Sequence, residues 1–391
     1  MPVANSVNKR LLPPVNIDLT ADYILGVQKE SGEIPWHADG KTDPWDHVEC
    51  AMGLTVAGRH AAAKRAYEWS SQTQSPDGSW WSEYQGGIPK ADAHKDANMT
   101  AYIAVGVLHY YLATHDTTFL RSMWPIVRNA MTFVLHLQGP GGEIYWAKRA
   151  DHSISPTALV TGSSSIYLSL RCAIYIATLL DLEVSAWESA ATRLAEALRY
   201  KPHLFDQTKA RFAMDWYYPI LCGAISGVAG SNRLRGAWHK FVMDGWGIRC
   251  VSDQPWVTMA ETSEMVITLA AIGEREAAAT LFEWIRTNQH ETGAYWTGIT
   301  VPDRRIYTQE HTTWTGAAIL LATDILYELT PAWRLFTTAQ TVPTGPEKAW
   351  ESIHQPDRHL GDVIKNLLTD RLTGFSEPNN PKEPYEPQIG D

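Results

Sequence analysis

The stretch RAYEWSSQTQSPDGSWW, residues 65–81, ends a helical pattern with punctuation that recurs along the chain. Apolar residues at helical spacing run into Gln74, and a Pro-Asp-Gly turn and paired tryptophans follow. ILGVQKESGEIPW carries Gln28, Gly32 and Trp36; FVLHLQGPGGEIYW carries Gln138, Gly142 and Trp146; WIRTNQHETGAYW carries Gln289, Gly293 and Trp296. In each copy, as in Gln74-Gly78-Trp80, glutamine and glycine stand four residues apart and a tryptophan follows the glycine by two to four. Such self-similarity predicts a repeat architecture. The physical reading is a helix C-terminus. Glycine supplies the left-handed backbone, glutamine is expected to bond the last exposed carbonyls, and the aromatic covers the helix end. The motif is read as structural.

Apolar period and cap residues place helices near 18–29, 43–59, 60–74, 97–115, 118–138, 163–182, 184–199, 215–229, 231–242, 258–272, 274–289 and 312–329, with almost no alternating strand pattern. Six helical hairpins closed into a ring bury an apolar face on every helix. An open solenoid needs polar end caps, and neither end of the pattern supplies them. The expectation is an all-α fold, an (α/α)6 toroid over residues 1–335. An extension over 336–375, with a short helix near 358–369, is expected to pack on the toroid. The Pro-rich tail SEPNNPKEPYEPQIGD, 376–391, reads as extended or disordered.

Composition narrows the partners. The 391 residues are 45% hydrophobic and 19% charged, enough for a sizeable core. A net charge of -10 without a basic run argues against nucleic acid and anionic membrane as partners. The longest apolar run, GAAILLA at 316–322, is too short for membrane insertion, and the N-terminus lacks a secretory apolar block. Cys50, Cys172, Cys222 and Cys250 form no C-x-x-C pair and read as reduced thiols of a cytoplasmic protein. Seventeen tryptophans point to a lined cavity, since each indole N–H needs a partner.

In a toroid every second helix starts on the same face. Those starts are TDPWDHVEC (42–50), KDANMTAY (95–102), TGSSSIYL (161–168), MDWYYPI (214–220), TMAETSEM (258–265) and QEHTTWTGA (309–317). All carry acids or hydroxyls, three carry tryptophan, and six helix N-termini bring partial positive charge to one basin. Several acids also read as caps: Asp43-Pro44-Trp45-Asp46 and Thr258 with Glu261 match N-terminal boxes, and Asp96 and Asp215 suit N-cap positions. Glu49 and Glu264 lie deeper in their helices, and Glu310 projects from a loop, so no cap explains these three. His47 and His311 neighbour acids, as a general base would, although fourteen histidines make two such neighbours expected by chance. No metal motif, phosphate loop or serine-nucleophile context is present, so no metal and no cofactor is expected.

Residues Arg65, Ala66, Trp69, Gln74, Gly78 and Trp80 resemble the Gln-Trp repeat of squalene and terpenoid cyclases, a toroid family that includes the protein prenyltransferases. The Asp-x-Asp-Asp acid of class II cyclases, the prenyltransferase zinc set and an aspartate-rich diphosphate motif have no counterpart here. WDHVECAMGLTVAGRHAAAKRAYEWSSQTQSPDGSW and QEHTTWTGAAILLA are similar to the six-hairpin, glucoamylase-like glycoside hydrolases. That resemblance, over roughly residues 20 to 330, implies Glu310 as the base activating water. The third inner helix starts TGSSS without a carboxyl, so the acid is expected from Asp215 or Glu261, or from Asp46 or Glu49. Inverting hydrolysis sets the two carboxyls about 6.5–9.5 Å apart.

Acids spread around a whole rim favour a polyhydroxylated substrate over an isoprenoid. The sequence therefore reads as a carbohydrate-active enzyme, a glycosidase with a carboxylate acid/base pair at the mouth of the barrel. Glu310, Glu261 and Asp215 are its expected catalytic residues. Asp46, Glu49, Asp96, Glu264, His47, His311, Trp45, Trp216, Trp256 and Trp314 are expected at the substrate, an oligosaccharide or other small molecule. The alternatives are a cyclase- or prenyltransferase-like enzyme on an isoprenoid, a sugar epimerase, and a non-catalytic glycan or lipid binder.

Overall fold

The computed structural model describes residues 15–338. The expected extension beyond Thr338 and the tail at 376–391 lie outside the described residues. The helices in chain order are α1 Ile17–Val27, α2 Pro44–Val56, α3 His60–Thr73, α4 Ala97–Ala101, α5 Ile103–Thr114, α6 Thr117–Leu135 and α7 Val160–Leu179. They continue with α8 Ser185–Tyr200, α9 Ala213–Leu221, α10 Gly227–Phe241, α11 Met259–Ala271, α12 Arg275–Ile285 and α13 Thr313–Tyr327.

Packing runs from α2 to α5, then α7, α9, α11 and α13, and α13 returns to α2. That closed circuit is the inner ring of the expected (α/α)6 toroid. Outside it, α3 covers α2, α6 covers α4 and α5, α8 covers α7, α10 covers α9, α12 covers α11 and α1 covers α13. The two layers differ in sequence for a physical reason. On α8, Trp187, Ala190, Ala191, Leu194, Ala195 and Leu198 make one buried stripe, as an outer helix with a wet face requires. On α13, GAAILLATDI is buried on every side. At the closing seam a Cβ on Gly53 would lie 3.0 Å from the Cβ of Ala317, so glycine lets α2 approach α13.

The Gln-Gly repeat is the stitch between successive outer helices. The amide of Gln28 reaches the Ala62 carbonyl of α3 at 3.0 Å, that of Gln74 reaches Ile126 of α6 at 2.9 Å, and that of Gln138 reaches Ala190 of α8 at 3.0 Å. Each also bonds the carbonyl of its own motif glycine, Gly32, Gly78 or Gly142. Arg65 and Arg193 donate back to the glutamine oxygens of Gln28 and Gln138. The expectation that glutamine closes its own helix is thus corrected: its side chain spans to the next one. The glycines, at φ +89 to +101, sit where a Cβ would be 2.1 to 2.4 Å from a carbonyl oxygen of that neighbour. No other residue fits such a contact. The last copy closes the ring, with Gln289 bonded to Asn16 and Thr20 of the N-terminal segment and Gly293 against the Leu19 carbonyl.

A second set of bonds ties the inner starts to the loops around them. Thr42 N–H donates to Tyr84, Ala97 to Trp146, Ala213 to Cys250, Met259 to Thr297 and Thr313 to Trp36, while Asp206 donates to Ala158, all at 2.8 to 3.0 Å. One feature was not expected: an antiparallel four-stranded sheet of Val242–Met243, Gly247–Arg249, Trp256–Thr258 and Gly298–Thr300. Strands of two or three residues are too short to show alternation in a sequence.

Candidate active site

All six inner helices begin on one rim, and their first turns bring most of the expected acids there. Asp43 is the N-cap of α2 and Pro44 its first residue. One Asp43 oxygen accepts the Asp46 N–H at 2.9 Å, and the other accepts the Trp36 indole N–H at 2.8 Å. Asp46 follows one turn later and keeps some solvent contact. Its carboxyl is held well above the usual range, first by desolvation, then by the Asp43 charge and hydrogen bond and by Glu49, against a weaker opposite pull from Lys41. These surroundings favour the protonated form of Asp46, the form a general acid needs.

On the other side of α13, α11 supplies Glu261 and Glu264. The expected capping box at Thr258 does not form. Its hydroxyl donates to the Glu261 carboxylate and not to the helix, leaving Glu261 buried, at 8% exposure, with a supporting donor. Glu264 is clamped by the hydroxyls of Tyr217 and Tyr218 from α9, one on each oxygen. Desolvation pushes Glu264 up to about 8, with Glu261 adding to the rise and the two phenols opposing it. Glu49, buried on α2, is raised well above its usual range by desolvation and by Glu264. Trp45 bridges the two sides, its ring 5.6 Å from Tyr102 and 5.8 Å from Tyr218. The indole N–H groups of Trp45 and Trp314 are buried without a hydrogen-bond partner.

Other expected residues stand elsewhere. Asp215 stands apart from these acids: it accepts the backbone N–H and hydroxyl of Thr161 at 3.1 and 2.6 Å, so it caps α7 from the neighbouring helix. Trp216 turns outward, stacked on Phe241 at 5.2 Å and bonded to the Arg233 carbonyl. Both ring nitrogens of His47 are engaged by backbone, with Ile34 N–H at 3.1 Å and the Ala66 carbonyl at 2.9 Å. Burial lowers that imidazole to about 4, so His47 is a neutral scaffold residue, turned away from the basin it was expected to line. His311 packs among Trp296, His290 and Tyr23. Trp256 donates to the Tyr307 carbonyl at 2.6 Å. Asp96 caps α4 through Met99 N–H at 2.9 Å, and burial raises it to about 6. Glu310 is exposed on the loop before α13, accepting from the Thr308 hydroxyl at 2.9 Å.

Sequence reasoning missed Trp36, Tyr102, Tyr217 and Tyr218. The paired tyrosines of MDWYYPI were the available signal, since adjacent phenols on an inner helix need partners when buried. The residues that carry the cyclase likeness, Arg65, Gln74, Gly78 and Trp80, all make scaffold contacts. Among the described residues no acid or histidine group could hold a metal, and no helix is long and apolar enough to cross a membrane.

No family model matches the chain. It is 44% identical over 341 residues, 87% of this chain and 94% of the relative, to the MMP endo-(1,4)-3-O-methyl-alpha-D-mannosidase of Mycolicibacterium hassiacum. Among solved structures it resembles a glycosidase variant with a TM-score of 0.63 at 13% identity, over 80% of this chain and 96% of that one. A D-mannose isomerase gives 0.63 at 12% identity, over 80% and 96%. A bacterial glucoamylase complexed with acarbose gives 0.61 at 12%, over 83% and 57%. These structural likenesses speak for the toroid alone, whereas the sequence identity speaks for kinship. The chain belongs to the family of that endo-mannosidase and is a glycoside hydrolase on an (α/α)6 toroid.

Proposed function

We propose that this glycosidase cleaves within a chain of α-(1,4)-linked mannose carrying 3-O-methyl groups. The observation that carries this reading is the 44% identity, spread over 94% of a relative with that named activity. The basin's chemistry is consistent with such a substrate. A methyl ether keeps an acceptor oxygen, loses a hydroxyl donor and adds an apolar face. The rings around Trp45 offer apolar surface to such a methyl group.

In the proposed reaction Asp46 is the general acid. As the C1–O bond breaks, its proton passes to the glycosidic oxygen, which leaves as the hydroxyl of the departing chain. Glu261 is the general base: it takes a proton from the water whose oxygen bonds to C1 with inversion. Glu310 is the second candidate base, because its loop leads into α13, the helix between α2 and α11. Asp215 is proposed as a positioning cap for α7. Incubating the purified full chain with a methylated α-(1,4)-mannan and following product size tests the substrate. Internal cleavage to shorter oligosaccharides supports an endo action, and release of single sugars from one end contradicts it.

A further inference from the structure

Glu264 has each of its two oxygens occupied by a phenol donor, Tyr217 on one and Tyr218 on the other. That arrangement suits a carboxyl able to accept at both oxygens, the ionised form. Glu49 has no such support and makes no hydrogen bond to a described residue. It lies one helical turn after Trp45 on the same face of α2, and Trp45 meets the ring of Tyr218, whose hydroxyl binds Glu264. The two glutamates therefore share one buried patch, and their charges oppose each other.

The groups facing this patch are Asp43 before α2, Asp46 and Cys50 from α2, Tyr102 before α5, Tyr217 and Tyr218 from α9, Cys222 just after it, Glu261 from α11, and Cys250. None is a cation. Two carboxylates in a buried patch without a counter-charge do not both ionise.

We propose that this pair ionises once, at Glu264, and that Glu49 stays a neutral carboxylic acid whose O–H is donated to a substrate oxygen. Glu264 is then a positioning residue: its tyrosine clamp makes it the member of the pair that ionises first, so the proton stays on Glu49. The identity of the acceptor rests on the glycosidase reading; the protonation states do not.

Infrared difference spectroscopy on full-length protein, with isotope-labelled glutamate only, tests this without any activity assay. At neutral pH the wild type minus Glu49→Gln spectrum should show the loss of a protonated carboxyl band. A weakly alkaline carboxyl titration step should persist in Glu49→Gln and vanish in Glu264→Gln. Loss of a carboxylate band in Glu49→Gln, or a step that survives Glu264→Gln and vanishes with Glu49, overturns the proposal. Should Glu264→Gln fail to fold, the Glu49→Gln spectrum decides alone. Expected spectra without cleavage of the methylated mannan would leave the pair standing and remove the sugar as its acceptor.

Discussion

Asp43 receives the backbone N–H of Asp46 on one carboxyl oxygen and the Trp36 indole on the other, so a helix cap also holds a second carboxyl beside Asp46. The same residue serves the scaffold and the proposed chemistry. Its contact with Trp36 reaches the loop that also accepts the first N–H of α13.

If Asp46 is the acid, Asp46→Asn lowers kcat on the methylated mannan by about 10²–10⁴-fold with little change in stability. An aryl glycoside of the same oligosaccharide, whose leaving group needs no proton, should lose far less. Equal losses on both substrates would remove Asp46 from that role.

The base is assigned by comparing two variants. Glu261→Gln should cost at least about 10²-fold in kcat, while Glu310→Gln should cost less than about tenfold. The reverse order would transfer the base to Glu310, as the glucoamylase-like resemblance implies. Asp215→Ala should act on stability, by about 1–2 kcal/mol in urea unfolding, because α7 loses its cap.

Stability should fall as pH rises toward about 8. Glu264 rises from 4.5 to about 8 on folding and Asp324 from 3.8 to about 7, in both cases chiefly by desolvation. A raised acid binds its proton in the folded state, so its contribution is complete below the unfolded value and lost as pH climbs through the folded one. His47, lowered from 6.5 to about 4, acts oppositely and below 6.5. Melting temperatures at about pH 6.5 and about pH 8.5 isolate the carboxyls, and Glu264→Gln should flatten the decline. A Tm that rises across this window would contradict the assignment.

The stitch makes sharp mechanical predictions. Gln138→Ala leaves the Gly142 and Ala190 carbonyls without their donor and should cost about 1–3 kcal/mol. Gly293→Ala would press a Cβ against the Leu19 carbonyl at a left-handed φ of +89, at a cost of order 3 kcal/mol or more. Denaturant titrations check both, and a neutral Gly293→Ala would mean that the ring is not closed there.

These residues also show what a sequence can disclose. The toroid was legible because a ring repeats its joints, so the Gln-Gly spacing survives where other positions drift. The outer helix expected at 184–199 is Ser185–Tyr200, found from one apolar stripe. Direction was harder. Asp46, His47 and Glu49 sit within one turn, yet His47 faces α3 while its neighbours face the acids, and that choice depends on Ala66 and Ile34. The Tyr217–Glu264 bond joins residues 47 positions apart, which helix-scale spacing cannot register. Asp215 looked like a local cap and proved to be one, but for a helix that begins 55 residues earlier.

The most direct test of the account is proton NMR of the first product formed when purified protein cleaves an α-(1,4)-linked 3-O-methylmannose oligosaccharide. Internal cleavage that first yields the β-anomer, abolished in Asp46→Asn and Glu261→Gln, is the predicted result. No cleavage of that substrate, or a first product that is the α-anomer, would contradict the proposed substrate in the one case and the proposed acid/base pair in the other.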